Sequence, residues 1–72
     1  MMDMYEEIID SICQAYGIKK MHLLSKRRDK KLVYVKKLTY VTLRNLGLSL
    51  PKIGKLLNKD HTTILHGIRT FK

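Results

Sequence analysis

The 72 residues include one cysteine, one proline, no tryptophan and, after residue 10, only two acids. Each scarcity excludes something. A lone Cys13 can form no internal disulfide, and the cysteine and histidine spacing of a structural zinc site is absent. A reducing, cytoplasmic setting is therefore expected. The longest apolar run is four residues, Leu32–Val35, against the about 20 that a membrane span needs. No signal-peptide core is present either, so a soluble protein without a membrane partner is expected. With few glycines, a single proline, no repeats and no low-complexity tract, nothing marks a linker, and residues 1–72 read as one domain. A chain this short buries only about 60% of its unfolded surface, so its stability should be marginal.

Charge is what the chain has in excess. Fifteen Lys and Arg outweigh six Asp and Glu, for a net +9, and the imbalance is segregated. Residues 1–18 carry Asp3, Glu6, Glu7 and Asp10 with no basic residue. Residues 19–72 carry all the Lys and Arg against Asp29 and Asp60 alone, a balance of +13. So one-sided a field draws in polyanions and speeds their capture. Nucleic acid is the first candidate, ahead of anionic membrane or mere solubility.

Hydrophobic periodicity predicts an all-α fold. Met4, Ile8, Ile9, Ile12, Cys13 and Tyr16 mark a first helix over about residues 3–16. Its acids lie where the helix dipole favours them, and Gly17 is a natural stop. Met21–Leu24 predicts a turn or two of helix, and Ser25–Lys31 is too charged to bury. A long helix is predicted from Leu32 to Leu46, with Leu32, Val35, Leu38, Thr39, Thr42, Leu43 and Leu46 on its inner face. Val33, Val35 and Val41 are strand-formers, but fifteen residues is long for a strand in so small a chain.

The last third predicts two short helices. Ser49 caps the first, Pro51 suits its opening turn, and Ile53, Leu56 and Leu57 supply its apolar side. Asn58-Lys59 break it. Asp60 then caps a final helix whose buried stripe is Ile64, Leu65, Ile68 and Phe71. Two short helices joined by a tight turn describe a helix-turn-helix. Gly54 stands where only a tiny residue lets the helices approach, and Asn58 suits a left-handed turn position. Ile64, ten residues after Gly54, pins the second helix. Away from that stripe lie His61, Thr62, His66 and Arg69. The first residues of such a helix touch base edges in the major groove. A threonine methyl suits a thymine methyl, and a carboxylate can accept from cytosine. For Asp60, an N-cap role and a base contact both stand.

Three histidines raise a metal or catalytic reading. His61 and His66 are five residues apart, which separates them on a helix, and no cysteine or second acid joins them. No nucleophile–base set appears, so neither an enzyme nor a metal or other cofactor is expected. The run Lys26–Lys31 reads either as a solvated loop or as a basic arm reaching phosphates or a minor groove. The second fits the rest of the chain better.

Three blocks together resemble a known family: Leu24-Ser25-Lys26-Arg27-Arg28, Ser49-Leu50-Pro51-Lys52-Ile53-Gly54 and Asp60-His61-Thr62-Thr63-Ile64-Leu65-His66. In order and spacing they resemble the C-terminal DNA-binding domain, domain IV, of the bacterial replication initiator DnaA. The resemblance covers essentially the whole chain. It implies a small helical bundle related to the Trp repressor, binding double-stranded DNA. It implies base reading by Asp60, His61 and Thr62, with Thr63 and Lys59 close to bases or backbone. Arg28 would enter the adjacent minor groove from a loop that Lys26 and Arg27 share. Lys36 and Arg44 would face phosphates, and Leu50 and Pro51 would open a helix whose N-terminus points at one.

The departures are local. Asn58-Lys59 replace two glycines and an arginine, making the turn one residue shorter, and lysine lacks the bidentate grip of arginine on guanine. Lys52 stands where many members have glutamate, so the capping box with Ser49 is lost and a phosphate-facing charge is expected instead. Gly54-Lys55 lacks the upstream glycine of a phosphate loop, so no nucleotide is expected, and a stand-alone form of this domain is anticipated. The expected role is docking on DnaA-box-like sites in replication initiation or its control. A small transcriptional regulator with the same helix-turn-helix is the alternative; an RNA- or membrane-binding basic module is a more distant one. A protein partner for the acidic first helix is conceivable, with no motif to support it.

Overall fold

A computed structural model describes residues 3–71. Helices α1 (Met4–Tyr16), α2 (Lys20–Leu23), α3 (Lys30–Asn45), α4 (Leu50–Leu57) and α5 (His61–Thr70) form a bundle, with no strand among the described residues. The termini follow local chemistry. Asp3 caps α1 by accepting from the Tyr5 N–H at 3.1 Å. Gly17, at φ 65°, closes it, with the Ile18 N–H donating to the Cys13 carbonyl at 2.9 Å. Lys20 on α2 then pairs with Glu6 and Asp10 of α1, so part of the acidic charge is spent inside the domain.

Helix α3 is the central element and packs against each of the other four. Ile9, Cys13, Leu23, Val35, Tyr40, Leu43, Leu48, Ile53, Leu57 and Ile64 make the core. The inner face of α3 departs from expectation. Leu32, Val35, Thr39 and Leu43 are buried as predicted, but Lys36 and Tyr40 join them, while Leu46 is 48% exposed. Leu38 and Thr42 are only half-buried. The face has turned because α5 docks on the Tyr40 side, at Gly67. A Cβ on Gly67 would lie 2.6 Å from Cδ2 of the Tyr40 ring, so only glycine lets α5 approach. Thr39, fully buried, satisfies its hydroxyl by donating to the Val35 carbonyl at 2.8 Å.

The last stripe also ends differently. Helix α5 stops at Thr70, and Phe71 continues in extended conformation, half-buried. Its ring centroid lies 5.6 Å from that of Tyr34, which in turn lies 6.1 Å from Tyr16. This tilted aromatic row ties the chain end to α3 and α1. No helix among the described residues is long and apolar enough to cross a membrane.

Candidate nucleic-acid interface

The helix-turn-helix is built by backbone constraints. Ser49 accepts from the Lys52 N–H at 3.4 Å and caps α4, with Pro51 in its first turn. Asn58 ends α4 at φ 55°, ψ 47°, the single non-glycine residue with positive φ among those described. The Lys59 N–H donates to the Gly54 carbonyl at 2.8 Å, and the Lys59 carbonyl folds back over the Gly54 Cα. A Cβ on Gly54 would collide with that oxygen and lie 3.6 Å from the His61 nitrogen. The glycine therefore accommodates the turn itself as well as the next helix. Asp60 caps α5 by accepting from the Thr62 N–H at 3.4 Å, and the same oxygen is 3.2 Å from Nδ1 of His61.

With Ile64 fully buried beneath, α5 presents His61, Thr62, Thr63, His66 and Arg69 outward, all exposed. The predicted residues near the N-terminus of this helix therefore stand together. Beside them, on the far side of the turn, lies the loop of residues 24–29. Its shape is set by Ser25, whose hydroxyl donates to the His22 carbonyl at 2.6 Å and accepts from the Arg27 N–H at 3.2 Å. Arg27 pairs with Asp29 at 2.9 Å, whereas Arg28 is exposed, with no hydrogen bond or ion pair among the described residues. Loop, α3 and α5 enclose an open cleft of about 440 Å³, whose walls include Lys26, Arg28, Lys36, Lys59, Thr63 and His66.

Two of the expected contact residues line the cleft with their charges turned inward. Lys36 is only 8% exposed, and its ammonium turns inward, donating to the carbonyls of Ser25 at 2.7 Å and Arg27 at 2.6 Å. Its aliphatic stem suits the interior while its charge reaches carbonyls at the edge. Lys59, half-buried, likewise donates to the Ser25 carbonyl, at 2.7 Å. Burial, then the nearby Lys59 and Arg28, lowers the Lys36 pKa from 10.5. Burial, then Lys26, lowers that of Lys59. The cleft is a set of like charges that an anion would relieve.

The other predicted residues form no part of that cleft. Arg44 is exposed at the end of α3, where it donates to the Leu48 carbonyl at 2.8 Å. Leu50 is half-buried and Pro51 exposed at the start of α4, and Arg69 lies exposed in the last turn of α5. Lys52, expected to gain a phosphate-facing charge, instead places its ammonium 5.6 Å from the Tyr5 ring centroid. Sequence reasoning missed Lys37 on the cleft wall and Tyr40 and Gly67 on its floor. A glycine interrupting a helical pattern was the available signal, since it marks a close approach.

Capped short helices, a three-residue turn opened by a left-handed residue and an outward polar face on the second helix define a helix-turn-helix domain. The family model for the bacterial DnaA protein helix-turn-helix matches residues 5–70. The chain belongs to that family. It is 40% identical over 60 residues to the chromosomal replication initiator protein DnaA of Thermoanaerobacter sp. (strain X514), covering 82% of this chain and 14% of that protein. The DnaA of Pseudothermotoga lettingae is 31% identical over 65 residues, covering 89% of this chain and 15% of its own length. That of Jannaschia sp. (strain CCS1) is 35% identical over 66 residues, covering 89% and 14%. The chain thus spans about one-seventh of these relatives. No solved structure matches it significantly.

Proposed function

We propose that this domain binds double-stranded DNA sequence-specifically and without catalysis, at sites like those a chromosomal replication initiator uses. The observation that carries the reading is the shared face. The exposed N-terminal residues of α5 stand beside a cleft walled by Lys26, Arg28, Lys36 and Lys59. In this reading α5 lies in the major groove, where His61 and Thr62 meet base edges and Thr63 and His66 meet bases or sugar-phosphate. Asp60 keeps its cap and offers a free carboxylate oxygen to a cytosine amine. Arg28, unpaired and beside the cleft, reaches the neighbouring minor groove, where a narrow A/T tract concentrates negative potential. Lys26 and Arg27 follow the backbone on the loop, and Arg44, Arg69 and the Leu50–Pro51 end of α4 do so at the margins. DNA relieves the mutual repulsion of the cleft cations, which is the electrostatic part of affinity.

Fluorescence anisotropy tests this with a duplex carrying a DnaA-type box and a scrambled duplex, each at two salt concentrations. A preference of about tenfold or more, roughly 1.4 kcal/mol, that survives added salt is the expected result. Affinities that are equal and collapse together with salt would reduce the binding to phosphate attraction. Thr62→Ala should cost about 1 kcal/mol of that preference with little change in salt dependence.

A further inference from the structure

Among the described residues, the hydrogen bonding that ties the loop to α3 and the helix-turn-helix converges on one atom. The Ser25 carbonyl accepts from two ammonium groups, Lys36 and Lys59, each at 2.7 Å, and Lys36 also holds the Arg27 carbonyl at 2.6 Å. Two like charges on one oxygen repel, so this is not how a solvated loop would settle. The bonds join parts of the chain that no helix period brings together. Ser25 and Lys59 are 34 residues apart, and Lys59 sits between the left-handed Asn58 and the Asp60 cap. Both ends of Lys59 are thereby held: its backbone at Gly54, its ammonium at Ser25. Arg28 follows directly after the tethered Arg27, and α5 begins two residues after Lys59.

We propose that Lys36 and Lys59 are positioning residues that lock the basic loop to the turn, fixing the spacing the protein accepts between the minor-groove and major-groove parts of its site. This rests on the DNA-binding reading above and adds a specificity determinant to it. Neither lysine reads a base in this role. Lys59 acts through where it holds Ser25, and Lys36 through where it holds Ser25 and Arg27. One extra base pair moves the two parts of the site apart by about 3.4 Å and rotates one against the other by roughly 35°. A loop fastened to the turn cannot follow that displacement; a loop released from it can.

The test uses the full chain with the best duplex selected from a random library and the same duplex lengthened by one base pair between the A/T tract and the bases under α5. The unaltered protein should prefer native spacing by about tenfold or more. Lys59→Met and Lys36→Met keep the stems but remove the donors. Each should lower that preference below about threefold, by losing more affinity for the native duplex than for the lengthened one. Lys59→Arg restores a donor and should restore the preference. Amide exchange of Ser25 and Arg27, whose N–H groups are bonded within the loop, should quicken in the free variants while that of α1 is unchanged, which keeps the loop assignment testable apart from DNA. Equal losses on both duplexes, an undiminished spacing preference, failure of Lys59→Arg to rescue, or unchanged loop exchange would each overturn the inference. If the unaltered protein prefers its selected duplex over a scrambled one but ignores the insertion, this inference fails and the DNA-binding reading stands. If it prefers neither, both fail.

Discussion

Gly54→Ala sets two ordinary effects against each other, and the structure decides between them. Gly54 is in the middle of α4, where alanine is worth about 1 kcal/mol more than glycine by helix propensity. On that ground alone the variant should be more stable. The added methyl, however, would collide with the Lys59 carbonyl oxygen, which is main chain and cannot rotate aside. That carbonyl is fixed by the Lys59 N–H bond to Gly54 and by the adjoining cap at Asp60. Overpacking costs about 1–3 kcal/mol where side chains can yield, and a fixed backbone puts this site at the upper end. The net is about 2 kcal/mol of destabilisation, which for a domain of this size lowers the melting temperature by roughly 8–16 °C. Thermal unfolding followed by far-ultraviolet circular dichroism reads this directly. A melting temperature that rises, or falls by less than about 2 °C, would refute the close approach.

Three further outcomes are expected. Asn58→Gly should be nearly neutral, while Asn58→Ala should cost about 1 kcal/mol for the left-handed backbone; equal urea midpoints would show that the turn relaxes. Burial, then Asp10, raises the Cys13 pKa above 9.0. The unfolded thiol therefore ionises first, and this contribution to stability is complete below pH 9.0 and lost as pH rises above it. Buried Tyr40 acts in the same sense above 10.0, and Lys36, lowered from 10.5, opposes both. Cys13→Ala should flatten the alkaline fall in stability; an unaltered slope would contradict the buried placement of the thiol. Arg28→Ala should weaken binding more on duplexes with an A/T-rich flank than on G/C-flanked ones in parallel titrations, and equal losses would make Arg28 a phosphate contact only.

What could be seen in the sequence was what local backbone rules determine. Ser49 and Asp60 as caps, Gly17 as a stop, Asn58 in the left-handed region and Gly54 at a close approach each depend on a few neighbouring residues. The exposed residues of α5 were legible for a related reason, since Ile64 sets the phase of that helix. The rotation of α3 was not. Leu38 and Leu46 are as apolar as Leu43, and only the docking of α5 on Tyr40 through Gly67 decides which side faces in. The inward turn of Lys36 and the reach of Lys59 to Ser25 were hidden more deeply. A lysine in a basic chain signals an exposed charge, and pairing over 34 residues leaves no periodic trace.

The outer face of α5 has a consequence for how such a domain can change. Asp60 caps the helix and Ile64 and Gly67 seat it, so the fold makes its demands at those positions. His61, Thr62, Thr63, His66 and Arg69 project away from the core and are asked for little by it. Their side chains can be exchanged at small thermodynamic cost, since surface substitutions usually stay within about 0.5 kcal/mol. If the proposed reading holds, such a domain can drift to a new target site one residue at a time, because apart from the capping Asp60 the side chains that α5 turns outward are not those that seat it.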